Sequence, residues 1–152
     1  MGVESQKEKF PNGSVIIVDG SDRDKDELAK PFTEQGYEAV ICKNANRVFR
    51  VLDLRPKSWQ PILISVDMII PGNSGFEVVR QLAKKYPKKE VPLLMTSNHP
   101  TSEDLLEATN AGARDLYQGP LTVEQMHTLL EKLKIDSIRS EVGEMVFKID
   151  YL

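Results

Sequence analysis

The stretch Pro61-Ile62-Leu63-Ile64-Ser65-Val66-Asp67-Met68-Ile69-Ile70-Pro71-Gly72-Asn73-Ser74-Gly75-Phe76-Glu77-Val78-Val79-Arg80-Gln81-Leu82-Ala83 decides the fold. Up to Val66 it is almost continuously apolar, as a strand covered on both faces must be. A Pro-Gly-Asn-Ser-Gly loop follows, and Phe76, Val79, Leu82 and Ala83 then recur at helical spacing until the chain nears Pro87. This is one β-α unit with an acid, Asp67, where the strand gives out.

The same grammar extends in both directions. Upstream, Val15-Ile16-Ile17-Val18 lies between Gly13 and Gly20 as a buried strand, and a helix over 22–35 carries Leu28, Ala29 and Phe32. Pro31 predicts a kink or a division in that helix, and Gly36 ends it. Residues 37–42 form a second strand, and Val48, Val51, Leu52 and Leu54 share one face of a helix over 44–54. Downstream, a strand over 91–96 precedes a helix over 103–111 that Ser102 opens and Gly112 closes. A short strand at 116–117 and a helix over 122–133, with Met126, Leu129, Leu130 and Leu133, complete the series. Apolar strands alternating with helices require a parallel sheet, because parallel neighbours need crossovers. Five such units are too few for an eight-fold barrel, so an open, doubly wound α/β sheet with helices on both faces is predicted, its functional crevice beyond the carboxyl ends of the strands.

Composition narrows the function. A chain of 152 residues, 40% hydrophobic and 28% charged, is long enough for one sizeable core. Its formal charge of -3 argues against a partner held by nucleic-acid phosphates. Cys42 is the single cysteine and His99 and His127 are scattered, so neither an intrachain disulfide nor a zinc cluster is expected. The first ten residues lack a signal peptide's apolar run and no stretch approaches a membrane span, so a cytoplasmic protein without membrane contact is expected.

Polar residues gather at the predicted strand ends: Asp19 after the first strand, Asp67 after the third, and Thr96, Ser97 and Asn98 after the fourth. With these residues in place, the sequence over 14–134 resembles the receiver domain of two-component response regulators, whose fold is a flavodoxin-like five-stranded sheet. The run from Asp67 to Glu77 is similar to the family's phosphoacceptor loop, with an Asp ending the third strand, Pro71 four residues on and Gly75 opening the helix. The resemblance therefore implies Asp67 as phosphoacceptor, Ser97 as the hydroxyl that contacts the phosphoryl group with Thr96 beside it, and Asp19 with Asp67 as Mg2+ ligands. Ala111-Gly112-Ala113 matches the turn before the fifth strand, and Pro120 a proline that is commonly cis in the family.

The departures matter as much as the matches. Receivers usually carry two adjacent acids after the first strand, and here the second is Gly20. Losing a direct ligand leaves either no metal or weakly bound Mg2+. The family's Lys before the final proline is matched by Gly119, which removes a cation from the phosphoryl site. The small residue after the Ser or Thr is Asn98, able to crowd the pocket or to replace a lost hydrogen bond. The aromatic switch position is Leu116, with Tyr117 on the opposite face of the strand.

Outside this region, residues 1–13 are polar and unpatterned. In the extension over 135–152 the first residues can continue the helix by a turn or two. Met145, Phe147, Ile149 and Tyr151 alternate as in a strand, which either docks on its own domain or adds to a partner's groove or sheet edge. The expected function is that of an atypical, single-domain pseudo-receiver. It acts in signal transduction through protein partners, without enzymatic activity and with phosphorylation impaired or absent. The resemblance places its interaction face on the fourth helix, fifth strand and fifth helix, over 103–133. The alternative is a working response regulator that takes a phosphoryl group at Asp67 from a histidine kinase. The sequence leaves the oligomeric state open. A haloacid-dehalogenase reading of the segment from Val15 to Ser21 lacks the acid expected at Ser21.

Overall fold

A computed structural model of the chain describes residues 9–86 and 90–150. Five parallel strands form the main sheet: β1 (Gly13–Val18), β2 (Tyr37–Cys42), β3 (Leu63–Asp67), β6 (Leu93–Ser97) and β7 (Leu116–Gln118). Their order across the sheet is β2-β1-β3-β6-β7, which is the flavodoxin-like winding, with its switch point beside β1. Between β3 and the next helix, β4 (Ile69–Ile70) and β5 (Asn73–Ser74) pair antiparallel as a small separate hairpin. The helices are α1 (Lys25–Thr33), α2 (Ala45–Leu54), α3 (Gly75–Lys85), α4 (Ser102–Ala111) and α5 (Val123–Asp150). The chain divides into two compact units, Met1–Thr122 with the sheet and the first four helices, and Val123–Leu152 with α5.

In the first unit the alternation of strand side chains sorts the core into two layers. Ile16, Val18, Ile64, Val66, Leu93, Met95 and Leu116 join α2, α3 and α4 in one continuous buried cluster. Val15, Ile17, Leu63 and Leu94 are turned the other way, toward the layer to which right-handed crossovers assign α1, whose Leu28 and Phe32 are buried. With both faces covered, the strands can afford no polar alternation, which explains their apolar composition.

Side chains set the helix starts. Asp24 accepts bonds from the Asp26 and Glu27 amides at 2.7 and 3.3 Å, so α1 begins at Lys25 and the preceding charged residues belong to a loop. Pro31 does not divide α1; it lies inside the helix, two residues before its end at Thr33, and withholds the one amide that would have bonded the carbonyl four residues back. Thr101, not Ser102, caps α4, through a capping box with Asp104 whose two bonds are both 3.1 Å.

The outer segments differ from the sequence expectation. The N-terminal segment reads as unpatterned to residue 13, yet Asn12 bonds the Gly36 and Gln35 carbonyls at 3.0 and 2.6 Å, and β1 already begins at Gly13. Residues 1–8 lie outside the described ones. The boundary at 134/135 is no break in secondary structure, because α5 runs unbroken from Val123 to Asp150. The strand-like alternation at Met145, Phe147 and Ile149 therefore falls on helix, while Tyr151 lies outside the described residues. No proline interrupts this region and the helix is already under way from Val123, so its propagation outweighs a short alternating run. Within α5, Val123, Met126 and Leu129 are buried, whereas Ile135, Ile138 and Val142 are exposed.

Candidate functional site at the carboxyl ends of the strands

Pairing of Val18 with Cys42 brings the ends of β1 and β2 level, so Asp19 stands beside Lys43. Asp19 is 3% exposed, and its amide donates to the Cys42 carbonyl at 2.9 Å. A carboxylate this deep must be compensated. Its Oδ1 accepts from the Ser21 amide at 2.8 Å and from the Ser21 hydroxyl at 2.5 Å, and its Oδ2 accepts from the Arg23 guanidinium at 3.3 Å. The Lys43 ammonium lies 3.9 Å from Oδ1 and donates to the Ser21 and Arg23 carbonyls at 3.1 and 2.5 Å, which holds the loop around the acid. The second guanidinium nitrogen of Arg23 donates to Asn98 Oδ1 at 3.0 Å, and so spans from the loop after β1 to the loop after β6.

Asp67 ends β3, half-buried, and its Oδ1 accepts from the Ile69 amide at 3.2 Å. The loop beyond it is drawn close by backbone contacts. Gly75 donates to the Met68 carbonyl at 3.0 Å, and a Cβ there would collide with the Asp67 carbonyl oxygen, so only glycine opens α3 in this way. Burial pushes the Asp67 pKa above its ordinary value. The Ile69 amide opposes that shift, the Asp19 carboxylate adds to it, and the Arg23 guanidinium and the Met68 amide draw it back.

Thr96 pairs with Asp67 across β3 and β6, and Ser97 follows it at the strand end. The Ser97 hydroxyl accepts from the His99 amide at 3.3 Å, while Thr96 is buried. Gly119 lies over Thr96, 2.9 Å from an ideal Cβ on Gly119 to the threonine Cβ, and precedes the cis bond to Pro120. Gly20 is equally confined: a Cβ there would come within 2.5 Å of Pro71 Cδ and 3.0 Å of the Ile69 carbonyl oxygen. Asp19, Gly20, Asp67, Thr96, Ser97 and Gly119 thus gather at adjacent strand ends. Leu116 does not join them; it is buried in the core cluster, level with Met95.

Comparison with known proteins decides the family: the model of the response regulator receiver domain matches residues 15–131. The chain belongs to the response regulator receiver domain family. Among curated relatives of this receiver, the phosphate regulon transcriptional regulatory protein PhoB of Pseudomonas aeruginosa is 24% identical over 131 residues, covering 86% of this chain and 54% of PhoB. Protein PilH of the same organism is 22% identical over 112 residues, covering 74% of this chain and 89% of PilH. The receiver spans about half of PhoB and about a quarter of the NtrX-like relatives from Rickettsia. A solved response regulator from Burkholderia pseudomallei, described with a phosphorylated aspartic acid, superposes with a TM-score of 0.68 at 17% identity over 88% of this chain and 75% of that one. The receiver domain of Francisella response regulator 1452 gives 0.65 at 16% identity over 80% and 99%.

The Mg2+ implied by the receiver family does not fit the residues present. Both Asp19 oxygens already face donors, the neighbouring acid is Gly20, and no group of three His, Cys, Asp or Glu side chains suited to a metal occurs among the described residues. Sequence reasoning missed Arg23 and Lys43. Lys43 was accessible to it, since it follows a strand just as Asp19 does. Arg23 was hidden within the alternating charges of residues 22–26, which read as the start of the first helix.

Proposed function

We infer that this receiver domain of two-component signalling is a pseudo-receiver, which works by binding a signalling protein partner without regulated phosphorylation, enzymatic activity or a required metal. The observation that carries this reading is steric: Pro71 closes the space at Gly20 and Thr96 closes the space at Gly119. A side chain at Gly20 or Gly119 would collide at its Cβ, so neither the second metal-binding acid nor the phosphoryl-pairing lysine can be carried there without a shift of these neighbours. Phosphoryl transfer depends on positioning and on neutralising charge at the transferring oxygens, and both contributions are reduced here. Apolar side chains are available for a partner at this end of the unit: Ile69 beside Asp67 is 79% exposed, and Leu105 and Leu106 near the start of α4 are 41% and 64% exposed. No helix among the described residues is long and apolar enough to cross a membrane.

Partner capture tests the proposal. Wild type and Asp67→Asn, immobilised in turn, are exposed to a lysate of the source cells with and without acetyl phosphate and Mg2+. The expected result is the same partner in the same yield from all samples. Capture that needs both Asp67 and the phosphodonor overturns the reading in favour of a phosphorylatable regulator fed by a histidine kinase.

A further inference from the structure

We propose that Arg23 is a built-in counter-ion that stands in for the divalent metal, closing the acidic pocket against Mg2+ and tying the loop after β1 to the loop after β6. The inference rests on the pseudo-receiver reading and supplies the agent that makes the site independent of metal. Three observations converge on it. Arg23 faces Asp19 Oδ2 at 3.3 Å, on an acid whose other oxygen is already satisfied by Ser21. The same guanidinium donates to Asn98 Oδ1 at 3.0 Å, so one planar cation joins two strand ends with its two terminal nitrogens. Lys43 at 3.9 Å supplies a second positive charge, so the inward carboxylates Asp19 and Asp67 face two cations and offer a divalent ion no surplus negative charge.

A fixed cation differs from a bound one in what it allows. Mg2+ brings its own waters and yields coordination positions to phosphoryl oxygens, whereas a guanidinium held by Asp19, Ser21 and Asn98 commits three of its five N–H donors to the protein. The resulting bridge needs no metal to form. Asn98 thereby gains a use: its side chain accepts the hydrogen bond that orients Arg23.

The test is a titration with Mg2+ or Mn2+ alone, without phosphodonor. It follows amide NMR shifts, or Mn2+ broadening, at residues 19–23 and 67–69 in wild type, Arg23→Gln and Arg23→Lys. Circular dichroism confirms that each variant is folded. Wild type is expected to remain silent. Arg23→Gln is expected to bind the metal at least about tenfold more tightly, because a unit charge at contact distance in a partly buried site exceeds thermal energy several-fold. Arg23→Lys keeps the charge and is expected to stay silent while the shifts of residues 98–100 change, since a lysine lacks the second arm of the bridge. A response in Arg23→Lys equal to that in Arg23→Gln would show that shape, not charge, closes the site, and overturns the proposal. If wild type and Arg23→Gln are both silent, Arg23 is not the excluding group, and the pseudo-receiver reading stands without it. If wild type binds Mg2+ at Asp19 and Asp67, the counter-ion proposal fails, and phosphodonor treatment then decides the pseudo-receiver reading separately.

Discussion

Asp19 and Asp67 are both carboxylates at strand ends, yet their surroundings set them apart. Asp19 accepts bonds from Ser21 and Arg23, with Lys43 close by, while Asp67 has the Ile69 amide and a pocket that partly strips it of water. Because folding raises the Asp67 pKa, the folded protein holds that proton more tightly than the unfolded chain does. Stability therefore falls as pH rises from the ordinary value of 3.8 to the raised one, and the penalty is constant above it. Asp67→Asn removes the penalty. Thermal melts should show the variant melting above wild type at neutral pH, with the difference shrinking in acid toward pH 3.8. A constant difference across that range would mean that ionisation of Asp67 plays no part. The two acids were legible in the sequence because each ends an apolar run. Arg23 was not, since its role depends on the chain folding back over Asp19 and on Asn98 arriving from a distant loop.

At the scale of elements, caps and glycines fix where each helix meets the crevice. The capping box of Thr101 and Asp104 starts α4 shortly after the loop that presents Ser97 and Asn98. Thr101→Ala should cost about 1 kcal/mol in urea denaturation, the usual loss for an N-cap, and should raise amide exchange at the first turn of α4. No change in either would show that the start of α4 is held by packing alone. Most elements were readable from periodicity and punctuation, as β3 and α3 illustrate. The tail was not. Its apolar residues fit a strand over a short window, and helix formation there is decided by its continuity with the first turns of α5.

At the scale of the molecule, the parallel sheet carries the strand ends to one rim, and the order β2-β1-β3-β6-β7 sets Asp19, Asp67 and Ser97 on adjacent strands. This architecture was legible because a sheet covered on both faces leaves a continuous apolar signature. What the sequence could not convey is how closely the two glycines are confined: a glycine in a string of letters does not reveal Pro71 or Thr96 pressed against it. On the reading proposed above, a pocket whose Gly20 and Gly119 are confined and whose Asp19 is paired with Arg23 does not take up a phosphoryl group to switch the molecule. The most direct measurement is intact mass together with amide NMR on the wild-type protein, before and after incubation with acetyl phosphate or beryllofluoride and Mg2+. The expected result is an unchanged mass and an unchanged spectrum. An added phosphoryl mass on Asp67, with shifts spreading from residues 67–75 to residues 96–98, would contradict it.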